Sequence, residues 1–126
     1  MERKDLNEKL ARYQRIEALA DNVIAETFKF RGTTYVPPGF PAERFGRYVV
    51  GLGGDTVPLS DVSEIARTCR RYLESGRPFG TWVESGRVYF DYVVFFDDLG
   101  RALRCAKDHN QIAIYDLLTE ECIYVS

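Results

Sequence analysis

Histidine is almost missing from this chain: its 126 residues hold one, His109. A single imidazole with no cysteine pair nearby argues against a zinc-type site, which draws three or four ligands together. The same scarcity works against a nucleophilic triad. Cys105 lies four residues before His109 on one expected helix, but no third group is there to orient the pair. Cysteine is sparse too, and Cys69, Cys105 and Cys122 form an odd count without paired spacing, which suits a reducing compartment. An excess of one charge is lacking: 17 Lys+Arg against 19 Asp+Glu leave a net charge of −2. That balance is too even for an acidic mimic of DNA and too low for a general nucleic-acid binder, whose footprint is basic. No apolar run approaches the roughly 18 residues that a bilayer span requires. The opening Met1-Glu2-Arg3-Lys4-Asp5 has no apolar signal core, so a cytoplasmic protein without membrane contact is expected. No catalytic, metal-binding or cofactor-binding residue is assigned.

What is present specifies one α+β domain over residues 1–126, with hydrophobic content of 45%, enough to bury a core without staples. Leu6, Leu10, Tyr13, Ile16, Ala20, Val23 and Ile24 recur three or four apart, predicting a long helix over about 5–28. Its simplest placement is on the domain core; pairing with a second chain, a homodimer, is the alternative. Gly32 and the following Thr-Thr-Tyr-Val shift the pattern to strand. Pro37, Pro38 and Pro41 with Gly39 and Gly46 predict a surface loop that carries Phe40 and Phe45. Anchoring of those rings against the domain is the expected outcome, and waiting for a partner the other.

A hairpin–helix unit is expected over about 47–76, with Tyr48–Leu52 and Thr56-Val57 joined through Gly53-Gly54-Asp55. The Gly51-Leu-Gly-Gly stretch lacks both the Lys-Ser/Thr of a phosphate loop and a helix directly after it, so it reads as a turn. Ser60 or Asp61 can cap a second helix, Glu64 completing a capping box with Asp61, and its apolar face is Val62, Ile65, Ala66, Cys69, Tyr72 and Leu73. Ser75-Gly76 ends it. Arg67, Arg70 and Arg71, with Arg77 beyond, mark the opposite face, which reads as solvated before it reads as an anion site.

The residues from about 81 to 125 form a hairpin–helix–hairpin unit. Ser85-Gly86 turns Trp82-Val83 into Arg87–Phe96. On that strand Val88, Phe90, Tyr92, Val94 and Phe96 face the core. The other face, Arg87, Tyr89, Asp91, Val93 and Phe95, is too apolar to be wholly exposed: it is either covered by the first helix, the expected outcome, or offered to another protein. Asp97-Asp98 opens a third helix through Leu99, Ala102, Leu103 and Ala106, closed by Asn110. Leu59-Ser-Asp-Val62 echoes Phe96-Asp-Asp-Leu99, which suggests one antiparallel or mixed sheet of hairpins with helices packed on one side.

The stretch Asp97-Asp98-Leu99, Ala102-Leu103, Ala106, Asn110 to Leu117 and Thr119-Glu120-Glu121 resembles the C-terminal segment of small accessory proteins common in actinobacterial phages and prophages. The likeness covers the last third of the chain; Thr119-Glu120-Glu121 lacks the glycine expected at that turn. It implies a non-enzymatic domain that grips a host protein, such as a defence component or a regulator. Phe40, Phe45, Arg70, Arg71, Tyr89 and Phe95 are the candidate contact residues, since aromatics and arginine dominate interface energetics. The alternative is a ligand-binding or enzymatic pocket between sheet and helices, drawing on Asp91, Asp97 or His109. Nucleic-acid binding through the arginines of the second helix ranks third.

Overall fold

The computed structural model describes residues 2–125. Helix α1 runs Arg3–Phe30, strand β1 Gly32–Tyr35, and a 3-10 turn, Ala42–Arg44, lies in the proline-rich loop. Then follow β2 (Tyr48–Pro58), α2 (Val62–Glu74), β3 (Phe79–Glu84), β4 (Arg87–Phe96), α3 (Leu99–Asp108), β5 (Ala113–Asp116) and β6 (Glu121–Tyr124). The strands form one sheet in the order β1-β3-β4-β2-β5-β6, with every pairing antiparallel. The chain is thus a single α+β domain. β1 and β6, each four residues long, are its two edges.

Of Ser60 and Asp61 the structure uses Asp61 as the cap of α2, and the Glu64 carboxylate pairs with Arg67 instead of closing the box. Asp61 accepts from the Glu64 N–H and Asp98 from the Arg101 N–H, so both strand-to-helix junctions use the same device. Ser85 and Gly86 both take positive φ, 51° and 74°, as a two-residue hairpin with right-handed strand twist demands. Val62 departs from its expected place: it stands at the first position of α2 and is exposed, while Ile65, Cys69, Tyr72 and Leu73 are buried.

The expected hairpin at Gly53-Gly54-Asp55 is not formed. β2 continues straight through those glycines, because β4 is long enough to pair with it from Tyr48↔Phe96 to Pro58↔Arg87. The glycines form a bulge instead, the register shifting between Gly51 and Gly54. One extra residue reverses the alternation of the strand. Tyr48 and Val50 face the helices before the bulge, and Val57 does so after it. Gly54 is needed for close approach: a Cβ there would lie 1.9 Å from the Phe90 carbonyl oxygen.

All three helices cover the same face. α1 and α2 enclose a cluster of Ala20, Val23, Val57, Ile65, Cys69, Tyr72, Phe79, Val88 and Phe90. α3 encloses a second, built from Tyr48, Val50, Ala102, Ala106 and Ile114. α1 extends two residues beyond its expected span at each end and is about 42 Å long at 1.5 Å per residue. Only its C-terminal half packs on the domain, and Leu6, Leu10 and Tyr13 are more than half exposed. α1 therefore does not cover the Tyr89–Phe95 face of β4, as its apolar stripe suggests; it lies with α2 on the other side.

Candidate protein-interaction surface

The helix-free face of the sheet is covered at one end by the loop between β1 and β2. Val49, Val93 and Phe95 form its buried floor, with Val36, Phe40 and Leu117 packed on them. Phe40 meets Phe95 edge-on at 5.8 Å between centroids, and Phe45 stacks on Phe95 at 4.7 Å. Prolines fix the loop backbone, and the Arg44 guanidinium caps the Phe40 ring at 5.3 Å. Gly46 returns the chain to the sheet flush against β4, where a Cβ would stand 2.6 Å from the Phe96 carbonyl carbon.

Beside Phe45 lies a shallow hollow of about 410 Å³, lined by Phe45, Gly46, Arg47, Asp97, Leu117 and Leu118. Its wall is fixed by charge. Arg47 grips Asp116 with two hydrogen bonds, Nε to Oδ1 at 2.9 Å and Nη2 to Oδ2 at 2.8 Å, and lies over the Tyr48 ring at 5.1 Å. Asp116 also accepts from the Leu118 and Thr119 N–H groups. The guanidinium first, and these backbone donors after it, hold the buried Asp116 carboxyl well below its usual range. Asp97 accepts from the Arg47 backbone N–H at 3.2 Å. The adjacent aspartates thus serve different ends, Asp97 tying the loop and Asp98 capping α3. On the rim, Phe45 is 46% and Leu118 72% exposed.

Of the six candidate contact residues, the fold brings three together: Phe40, Phe45 and Phe95. Phe95 is buried and acts as floor. Tyr89 shares this face but stands six residues along β4, about 20 Å away at 3.3 Å per residue. Arg70 and Arg71 are on α2, across the sheet. Arg70 Nε is 3.3 Å from Glu17 of α1, and Arg71 is 3.4 Å from Asp55 of β2 and over the Tyr72 ring. Arg67 pairs with Glu64 and Arg77 stacks over Tyr92. Each of these arginines thus has a neighbour within the domain, while the Arg67 and Arg71 side chains stay exposed.

Asp91, Asp97 and His109 do not converge. Asp91 is on the helix-free face, Asp97 at the hollow, and His109 at the end of α3, its Nδ1 2.9 Å from the Cys105 carbonyl oxygen. Side chains fill the space between sheet and helices: Val50, Val88, Ala102 and Ala106 are fully buried. Among the described residues no group of three or more His, Cys, Asp or Glu side chains is placed to hold a metal ion, and no helix is long and apolar enough to cross a membrane.

Sequence reasoning missed Leu118, Arg47 with Asp116, and Trp82, which pairs with Tyr89 on this face and is 44% exposed. Trp82 was legible, since it alternates with Gly80 and Glu84 on the outward side of β3. The Arg47–Asp116 pair was not, because 69 residues separate its members. Comparison of the chain with protein-family models, curated proteins and solved structures gives no match.

Proposed function

We propose that this is a non-catalytic accessory protein, of the kind carried by phages and mobile elements, that acts by binding a host protein as inhibitor or modulator, with a host defence component as one such target. The observation that carries the reading is Phe45. Its ring is stacked on a buried floor yet half exposed, beside a hollow rimmed by Leu118 and stiffened by Arg47 and Asp116. A rigid aromatic next to an apolar depression is the anchor-and-pocket arrangement that concentrates binding energy in interfaces. The test is affinity capture of the tagged protein from host lysate, read by mass spectrometry, alongside F45A and L118A. One stoichiometric partner that survives high salt and is lost with either substitution supports the proposal. Capture indifferent to both, or a blank, refutes it.

A second reading, self-pairing through α1, is favoured by the unpacked half of that helix. Arg3, Leu6, Leu10 and Tyr13 continue, at alternating spacings of three and four, the seam that Glu17, Ala20, Ile24 and Thr27 use within the domain. Sedimentation equilibrium of the wild type against a Leu6→Ala/Leu10→Ala double variant decides it: a dimer abolished by the substitutions supports pairing, and a monomer at all concentrations removes it.

A further inference from the structure

Asp91 occupies a position that nothing else in the fold explains. It stands mid-strand in β4, and its outward-facing neighbours are Tyr89, Val93 and Phe95. Burial raises its carboxyl above the ordinary value of 3.8, and among the described residues no hydrogen bond or ion pair reaches it. Across both neighbouring strands it meets glycine. Gly80 pairs with it on β3 and Gly54 on β2. Gly51 is so near that a Cβ added there would lie 3.7 Å from the Asp91 Cβ. The carboxylate therefore rises from a floor of bare backbone.

The walls of this trough are specific. On one side is Val93, whose Cγ1 would lie 3.6 Å from a Cβ at Gly80. On the other are Tyr89 and Trp82, paired directly across β4 and β3. Trp82 is the diagonal neighbour of Asp91, a relation that sets side chains about 7–8 Å apart and within reach of long groups. A flat cation on the carboxylate can therefore extend toward these rings, whose faces attract positive charge. Gln111 adds an amide at the rim, its Oε1 3.3 Å from the same Gly51 position. The neighbouring positive charge on β4 itself, Arg87, two residues from Tyr89, has its Nε held by the Thr56 hydroxyl at 2.8 Å.

We propose that this trough receives the guanidinium group of an arginine carried by the partner protein, Asp91 accepting its N–H groups while Trp82 and Tyr89 pack against its plane. The inference rests on the protein-binding role proposed above and adds the chemistry of the partner. A guanidinium suits the site better than an ammonium because it is planar, stacks on aromatic rings, presents a two-pronged donor edge to a carboxylate, and loses less hydration on entering a half-buried trough. At Gly51 and Gly80 the missing Cβ leaves room for such a flat group beside Asp91.

The test needs no partner. N-acetyl-arginine methylamide is titrated into isotopically labelled protein, with the neutral isostere N-acetyl-citrulline methylamide as control. The Asp91 carboxyl carbon and the Trp82 indole N–H are followed by NMR. Saturable shifts of both signals with the arginine compound, absent with citrulline and weakened at least tenfold in Asp91→Asn, are expected. Trp82→Leu, a change at a half-exposed site, should weaken binding several-fold while leaving the spectrum of the core unchanged. Equal response to the two compounds, response that survives Asp91→Asn, or none at all overturns the site. Any of these would leave the capture of a host protein through Phe45 standing, so the two proposals fail separately.

Discussion

The hydroxyl of Tyr72 joins two elements that hydrophobic packing alone would let slide, and removing it gives a sharp test of how α2 is held. Tyr72 is buried in α2, stacked on Tyr92 at 4.5 Å and touching Phe79 and Phe90. Its hydroxyl donates to the Asp55 carboxylate at 2.7 Å and accepts from the Asp55 N–H at 3.0 Å, just past the bulge of β2. Tyr72→Phe keeps the ring and deletes these bonds. A hydrogen bond to a charged group contributes about 1.5–3 kcal/mol. Because the Asp55 side chain is 45% exposed, water replaces part of that, which puts the charged bond near the low end. Loss of the acceptor for the Asp55 N–H adds about 0.5 kcal/mol, for a total of about 2 kcal/mol. In urea denaturation the midpoint should fall with m unchanged. A double-mutant cycle with Asp55→Ala should show coupling of about 1 kcal/mol or more.

The pH dependence supplies an independent check. Burial first, and then the Asp55 carboxylate, push the Tyr72 hydroxyl well above its ordinary value of 10.0. Above pH 10 the unfolded chain gives up this proton while the folded one keeps it, so the folded state binds more protons and stability falls as pH rises. The stabilisation is full below pH 10 and is lost as pH climbs through the folded value. The difference between wild type and Tyr72→Phe should therefore be flat below pH 10 and shrink above it. A cost under about 0.5 kcal/mol, additivity with Asp55→Ala within about 0.3 kcal/mol, or a difference that grows with alkali would refute the reasoning.

Three further outcomes follow from the same geometry. Phe95→Ala should cost about 3–5 kcal/mol, as for a buried ring, and Phe45→Ala only about 1 kcal/mol, the worth of one stacked pair; thermal melts that rank them otherwise contradict the floor-and-rim arrangement. Asp116→Asn should flatten the acid limb of the stability profile. The folded carboxyl lies below its unfolded value, so its stabilisation is full above about pH 4 and lost as pH falls through the folded value; an unchanged limb in acid denaturation would show that the Arg47 pair does not stabilise the fold. Thiol labelling should take Cys122 first and Cys105 more slowly, and Cys69 only on unfolding, because burial removes its access and pushes its thiol up to about 12; mass spectrometry showing Cys69 modified as fast as Cys122 would contradict its burial.

How far the sequence carried depends on whether the deciding interaction was local. Asp61 and Asp98 could be read because a cap is settled within four residues, and Ser85-Gly86 because the turn demands positive φ from its own residues. Gly53-Gly54 was misread for the opposite reason. Glycine permits a turn or a bulge equally, and what decides is the ten-residue partner strand β4, far along the chain. The same limit hid the cover over Val93 and Phe95. Either the apolar stripe of α1 or the rings at Phe40 and Phe45 could have filled it, and the choice rests on which face α2 occupies. Of the candidate site, the aromatic half was visible as loop phenylalanines; the Arg47–Asp116 clamp and the Asp91 trough depend on strand neighbours that no local pattern announces.

The bulge in β2 also constrains how this chain can vary. Leu52 and Gly53 together take one place in the register opposite Tyr92, so a single strand serves α3 with its even positions and α2 with its odd ones. Loss or gain of one residue there would leave each half locally intact yet turn one of them inside out, exposing Val57 and burying Thr56. Surface loops absorb such length changes with little cost, but this strand cannot. The two clusters are bound to one another by parity, and sequence drift in this segment is confined to exchanging residues, never to counting them differently.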